Sequence, residues 1–296
     1  MVMVMKEYYK KFKAEYKKFS LKDYWTDFES DVKSKKEGSE LLIDNVNQLT
    51  ELQDKLYAMD RYALLLVFQG MDAAGKDGAI KHVMSGLNPQ GVQVYSFKQP
   101  SAQELDHDYL WRINQCLPER GRIGIFNRSH YEDVLIVRVH NLLKNRKLPS
   151  KLIGKNIWNK RYEQIRNFEK YLYENGIITI KFFLNISQEE QKKRFMKRLE
   201  DKSKNWKFSA SDLEERKYWN DYQKCFEDAI NNTSTKHAPW YVIPADKKWF
   251  ARLAVSDIII NEMKKLNPEY PKLDEEQQKM IDVYKTKLAE ENTKGK

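Results

Sequence analysis

Between residues 64 and 83 the chain reads LLLVFQGMDAAGKDGAIKHV. An unbroken apolar run passes into a glycine-bounded loop and then into a helix-compatible segment. Gly70 to Lys76 has the G-x-x-x-x-G-K spacing of a loop that wraps a phosphate. A run this apolar suits a strand buried on both faces, and buried parallel strands need helical crossovers. The stretch therefore restricts the chain to an α/β architecture in which backbone N–H groups at a helix N-terminus face an anion. Gly70, Ala74, Gly75, Lys76 and Asp77 are the expected phosphate-binding positions in this loop, with Lys76 reaching the outer phosphates. Asp77 stands where a Ser or Thr would hold magnesium, and its expected role is chiefly to offset the dipole of the helix it opens.

Four further runs alternate with helical segments. Tyr62–Gln69, Val92–Phe97, Ile123–Phe126, Ile177–Leu184 and Trp240–Ile243 read as five parallel strands. Lys155–Asn175 places Ile157, Ile165, Phe168 and Leu172 at roughly helical spacing, with Gly176 as its C-cap. Ser187 with Glu190, and Ser211 with Glu214, read as capping boxes opening two more helices. The expected fold is a doubly wound five-stranded sheet with its site at the carboxyl ends of the strands. Residues 1–45 are expected to form a helical extension and 46–271 the catalytic domain, with a helical lid at about 187–230. Residues 272–296 are expected to form a charged tail.

The chain of 296 residues carries a net charge of +10, and the excess lies on the body: residues 41–271 hold 37 Lys and Arg against 29 Asp and Glu. That surplus points to a polyanionic partner or substrate. Cys116 and Cys225 form neither a disulfide framework nor a metal cluster, which fits a reducing compartment. The opening MVMVMKEYYK lacks the apolar stretch of a signal peptide, and no run approaches the roughly 20 residues of a membrane span. A cytoplasmic protein that binds no membrane is the expectation.

Asp72 and Asp77 flank the phosphate loop, and two carboxylates about 4 Å apart repel by about 4 kcal/mol at an effective dielectric near 20. A cation must intervene. Lys76 is one candidate; Mg²⁺, which takes carboxylates together with phosphate oxygens, is the better one, and Asp72 is its expected ligand. The third strand ends in Asn127, where nucleotide-hydrolysing folds usually place a metal-linked Asp, so Asn127 is the second candidate metal ligand, through its carbonyl oxygen. Arg128 follows with a planar fork suited to phosphate, and Glu132 could supply the missing carboxylate. Ser129, His130 and Tyr131 read as structural polar groups or contacts to a base. From Gln191 to Leu199 the chain has no acid, and Lys193, Arg194, Lys197 and Arg198 give a dense basic face suited to a lid closing over a polyanion.

GMDAAGKDG, SFKQPS, HDYLWR, IFNRSHYEDVLIVRVH, NWKFSASDLEER and APWYVIPADKKWF, in this order, resemble the polyphosphate kinase 2 family over about residues 35–268. The resemblance implies a P-loop kinase-like fold related to thymidylate kinase. It also implies Mg²⁺-dependent reversible phosphoryl transfer between inorganic polyphosphate and nucleotides, with Mn²⁺ as an alternative ion. By motif position, Asp72 and Lys76 match the family's loop aspartate and lysine, Asn127 and Arg128 match its second-strand motif, and Arg194 and Arg198 fall in its basic lid; Glu132 stands beside them as a candidate catalytic residue, Lys193 as a candidate phosphate contact, and Arg112, Ser129, His130 and Tyr131 as candidate nucleotide contacts. Many members read F-D-R-S-W-Y-N where this chain reads Phe126-Asn127-Arg128-Ser129-His130-Tyr131-Glu132, and that version resembles the class phosphorylating both AMP and ADP. Expected partners are polyphosphate and AMP, ADP and ATP, with guanine nucleotides as further acceptors, and a second copy of the chain in a dimer or tetramer.

Two rivals stand beside this reading. A kinase using ATP as donor would be expected to carry Ser or Thr at position 77. A nucleic-acid-binding protein would use the basic face with salt-dependent affinity, yet the chain has no RNP-like or helix-turn-helix signature.

Overall fold

A computed structural model describes residues 8–291 apart from 29 and 208. The first seven positions of the expected N-terminal extension, and 292–296 of the expected tail, lie outside the described residues. Five strands run parallel: β1 (Ala63–Gln69), β2 (Val92–Ser96), β3 (Ile123–Asn127), β4 (Ile177–Asn185) and β5 (Trp240–Pro244), in the order β2-β3-β1-β4-β5. All five fall where the apolar runs predict them. β1, β3 and β5 are buried almost throughout, whereas β2, at the edge, is partly exposed along its length. This order makes β1 and β3 neighbours, with Phe68 opposite Asn127, while the chain leaves them toward opposite sides of the sheet. Such a switch point opens a crevice at the carboxyl ends of the two strands.

Helices cover both faces. The longest, α1 (Lys35–Met59), starts on Ser34, whose Oγ accepts from the Glu37 N–H at 3.1 Å, while the Glu37 carboxylate accepts from the Lys33 N–H at 3.1 Å. Asn45, Leu49, Gln53 and Leu56 recur at helical spacing and form its buried face. That face packs on α7 (Lys248–Lys265), where Asn45 Nδ2 donates to Ser256 Oγ at 2.8 Å. A Cβ on Gly38 would lie 2.4 Å from the Trp249 ring, so only glycine admits this approach. Because α1 runs unbroken across position 45, the expected domain boundary there is corrected: the helix is one packed unit with the sheet.

The expected N-terminal helical extension is helical only in part among the described residues: at Tyr8–Lys11, in a short turn at Leu21–Asp23, and from Lys35, where α1 begins. Residues 12–14 run beside the open edge of β5, with Ala14 N–H donating to Trp240 O at 2.9 Å and Val242 N–H to Phe12 O at 2.7 Å. Covering an edge strand removes a row of unpaired backbone groups. Tyr8, Phe12, Phe28 and Phe250 lock the segment down through stacked and edge-to-face contacts.

The other helices of eight residues or more among the described residues are α2 (Lys76–Val83), α3 (Ile157–Glu174), α4 (Gln188–Glu200), α5 (Ala210–Lys217), α6 (Trp219–Thr233) and the exposed α8 (Glu275–Glu291). Gly176 ends α3 at φ +82°, as the C-cap expectation requires. The capping boxes are half right. Ser187 accepts from Glu190 N–H, but Glu190 turns to Arg194 and Asp246 receives the Ser187 N–H. The helix assigned to Ser211 begins earlier, on Ser209, which accepts from the Ser211 N–H at 3.3 Å.

One buried ion pair lies beneath the β3 end. Lys181 Nζ on β4 donates to Glu169 Oε2 on α3 at 2.6 Å, and Tyr131 Oη donates to Glu169 Oε1 at 2.8 Å, all three side chains fully enclosed. Burial pulls the Lys181 ammonium down to about 8, against the pull of Glu169. Burial alone would raise Glu169, but Lys181 and His130 hold it below the usual carboxylate range.

Candidate active site

The loop after β1 is built by close approach. Gly70, at φ +152°, would place a Cβ 2.9 Å from the Leu184 carbonyl, and Gly75 opens α2 at φ +108°. Between them Ala73 holds φ +62°, and Arg128, at the end of β3, holds φ +63°. Non-glycine residues in this region carry strain of order 1–3 kcal/mol, which surrounding structure must offset. Two such residues face one crevice.

The crevice is a cavity of about 780 Å³ lined by the loop, Ser96–Lys98 and the strand ends, with α4, the following turn and the start of α7 completing it. Nine Lys and Arg side chains line it against three aspartates: Asp72, Asp77 and Asp212. Arg128 Nη2 donates to Asp72 Oδ1 at 2.7 Å, and Asn127 Nδ2 donates to Asp77 Oδ1 at 2.8 Å. Each acid of the expected repelling pair is thus met by a donor from β3. Lys76, 8% exposed, folds back so that Nζ donates to the Gly70 and Met71 carbonyls at 2.7 and 3.2 Å. Burial and the nearby Arg128 press its pKa down, while Asp72 and Glu132 pull it up.

Glu132 lies behind Arg128. With its amide oriented to satisfy both neighbours, Gln69 donates to Glu132 Oε1 at 2.9 Å and accepts from the Ser129 N–H at 3.1 Å. Burial raises the Glu132 carboxyl, and Arg128 and Lys76 hold it back.

Three expected phosphate or nucleotide contacts are corrected. Arg194 is buried, and its guanidinium donates to Glu190 Oε1 and to the carbonyls of Ala73, Ala74, Ala245 and Asp246. All five of its N–H donors are occupied, so it braces the phosphate loop instead of sitting on the lid's free face. Lys193 is exposed but lies outside the residues lining the cavity; Lys197 and Arg198 line it instead. Tyr131 belongs to the buried Glu169–Lys181 cluster and lines neither this cavity nor its neighbour. His130 lies under the neighbouring pocket with its imidazole fully buried, which lowers its pKa.

That pocket, about 360 Å³, opens beside Arg128 and shares Phe97, Lys98 and Arg128 with the cationic cavity. Phe97, Pro100, Tyr109, Ile136, Val137 and Leu142 give it an apolar wall, with Arg112, Arg146 and Glu104 at hand. Arg112 Nη1 donates to the Lys98 carbonyl at 2.8 Å and its guanidinium lies 5.4 Å from the centre of the Phe97 ring. Ser129 lines the pocket too, but its side chain is enclosed and accepts from the Tyr131 N–H.

Lys98, Lys204, Trp206, Lys248 and Arg252 were missed from sequence. Lys248 and Arg252 did leave a signal, since they follow the carboxyl end of β5 at i,i+4 spacing on the helix that opens there.

Oxygen donors suited to a hard cation are present. Asp72 keeps one carboxylate oxygen clear of Arg128, and Asn127 Oδ1 has no protein partner among the described residues, while Asp77 lies beside it. No cluster of three or more His, Cys, Asp or Glu side chains suited to a metal occurs among the described residues. Mg²⁺ needs no such cage, because it takes one or two carboxylates and completes its shell with water and substrate phosphate.

A glycine loop at a helix N-terminus, a switch-point crevice and a cation-lined cavity define a phosphotransferase of the P-loop kinase-like class. The family model for polyphosphate kinase 2 matches residues 32–271, and the chain belongs to that family of enzymes. It is 53% identical over 260 residues to the ADP-polyphosphate phosphotransferase of Rhodopseudomonas palustris, covering 87% of this chain and 90% of that one. It is 47% identical over 234 residues to the AMP/ADP-polyphosphate phosphotransferase of Meiothermus ruber, covering 79% and 84%. The crystal structure of polyphosphate kinase 2 from Arthrobacter aurescens TC1 superposes with a TM-score of 0.86 at 40% identity, covering 94% of this chain and 97% of that one.

Proposed function

We propose that the protein transfers phosphoryl groups from inorganic polyphosphate to AMP and to ADP, and that the reaction is reversible. One observation carries this reading: a cavity lined by nine cations and three acids opens at the phosphate loop into a smaller, half-apolar pocket. A polymer with one negative charge per unit suits the first, and a nucleoside suits the second. Arg128 stands where the two meet, and the junction is the position for the acceptor phosphate and the donor end.

In this reading an oxygen of the nucleotide's terminal phosphate attacks the end phosphorus of the chain in line. The bond to the next bridging oxygen breaks, and the shortened chain leaves with that oxygen. Lys76, Arg128, Lys197 and Arg198 neutralise the charge on the group in flight. The acceptor phosphate is largely deprotonated near neutral pH, so no strong base is needed. Mg²⁺, or Mn²⁺ in its place, would be held by Asp72 and Asn127 and would supply further charge neutralisation to the phosphate oxygens. Helices α4 to α6 act as the lid, with Arg194 as its fixed root in the loop.

Incubation with AMP, Mg²⁺ and long-chain polyphosphate tests the proposal by separation of the products. ADP and ATP together are expected. ADP alone would restrict the acceptor to AMP, and neither product would overturn the polyphosphate reading. ADP formed from ATP and a metabolite without polyphosphate would favour a conventional kinase.

A further inference from the structure

At the opposite end of the sheet, below the amino ends of β1, β4 and β5, lies a third cavity of about 1040 Å³. It is lined by Lys13, Arg61, Arg120, Lys236 and Lys265 against two acids, Glu174 and Glu262. The cations come from five separate stretches of chain that only the fold brings together. Lys265 pairs with Glu262, and Arg120 Nη1 donates to the Arg61 and Asn175 carbonyls. Lys13 and Lys236, in contrast, have no carboxylate within ion-pair distance among the described residues. Lys13 is half-buried, and burial presses its pKa down against the pull of Glu262, with Lys265 and Lys236 adding to the downward push.

A second observation points the same way. Thr179, 1% exposed, and His237 are among the residues lining this cavity, and Thr179 Oγ1 and His237 Nε2 are buried without a hydrogen-bond partner among the described residues. Buried polar groups are normally satisfied, and an orphaned hydroxyl beside gathered lysines is a donor waiting for an acceptor. An acceptor that is also multiply negative would answer both features.

We propose that this cavity is a second phosphate-chain site, holding a distal stretch of the same polyphosphate whose end lies in the loop cavity. The inference rests on the proposed polyphosphate reaction. Seven residues of β1 at roughly 3.3 Å each set the two sites more than about 20 Å apart. Only a polymer reaches both, so the second site adds affinity for long chains by effective concentration and nothing for short ones.

The test compares wild type with Lys13→Ala/Lys236→Ala, and with Lys236→Glu alone, whose exposed position spares the fold. Donors are hexaphosphate and long-chain polyphosphate at saturating ADP. The expected result is a KM for the long chain raised about five-fold, from two lost surface charge contacts, with the KM for hexaphosphate and for ADP unchanged. Equal rises for both donors, or none, would overturn the proposal. A titration of long-chain polyphosphate into Lys76→Ala protein reads the same site without turnover, and the added double substitution is expected to weaken binding. If wild type transfers from neither donor, the polyphosphate reaction itself fails, while this titration still decides whether the cavity binds the chain. Equal loss of hexaphosphate and long-chain binding in it would mark a site for short anions and would also overturn the tether.

Discussion

Arg128 and Asp72 meet at 2.7 Å across the junction of β3 and β1, each about two-thirds buried. The pair joins the two strand ends that define the crevice, and Arg128 makes it from a left-handed backbone conformation. Arg128 keeps free N–H groups for a phosphate while one is fixed on Asp72. Lysine in its place would keep the charge and lose the fork. Arg128→Lys is expected to lower kcat about 10- to 100-fold with little change in melting temperature. Steady-state kinetics with circular-dichroism melting check this, and wild-type kcat would remove Arg128 from the transition state.

Lys76 Nζ lies on the loop carbonyls, from which it must swing to meet an outer phosphate. Lys76→Ala is expected to reduce transfer by about 1000-fold, with a stability loss near 1 kcal/mol from the loop hydrogen bonds. Denaturant unfolding separates the two effects: a large stability loss with proportionate activity loss would assign Lys76 to structure alone.

The strands and the phosphate loop were legible because apolar runs and glycine spacing are local signals. What failed were long-range facts. The i,i+4 rows of α4 identify a basic face, but not that Arg194 turns inward to Ala73 and Asp246, residues some 50 to 120 positions away. Tyr131 reads from sequence as a structural polar group or a base contact, and what decides for the first, Glu169 and Lys181 claiming its hydroxyl, is distant in sequence. The edge-covering role of residues 12–14 depends on Trp240 and Val242, so no local pattern could reveal it.

Arg194 and Arg198 separate structure from binding on one helix. Arg194→Ala removes a buried cation that five acceptors surround, and is expected to cost about 3 kcal/mol of stability along with activity. Arg198, partly exposed and only 3.7 Å from Asp212, is free to turn to a phosphate. Arg198→Ala is expected to leave the melting temperature within about 2 °C and to raise the KM for polyphosphate several-fold. Identical melting shifts for the two variants would contradict this division.

Asn127 donates to Asp77, so Asn127→Asp would set two carboxylates at hydrogen-bond distance. The repulsion, of order 4 kcal/mol at an effective dielectric near 20, is expected to lower the rate with AMP more than with ADP, shifting acceptor choice toward ADP. Adding Asp77→Asn restores one donor to the pair and is expected to recover much of the loss. An unchanged AMP-to-ADP rate ratio in the single variant, or no recovery in the double, would sever Asn127 from acceptor choice.

Asp257, buried on α7 with Oδ2 lacking a hydrogen-bond partner among the described residues, has its carboxyl raised from 3.8 to about 6 by burial, against the pull of Lys264. An acid raised on folding binds more protons in the native state between those two values. Its contribution is therefore least unfavourable below pH 3.8, and a penalty grows as pH rises through the interval and is complete above about 6. Asp257→Asn removes the ionisation while keeping the shape. Near neutral pH the variant is expected to be more stable than wild type by about 2 kcal/mol, allowing for residual hydration of the carboxylate. The advantage shrinks toward zero as pH falls below 4. Urea unfolding of both proteins across this range measures the difference directly, because every other titrating group cancels between them. A constant difference, or one that grows toward acid, would mean that Asp257 is ionised and satisfied in the folded protein.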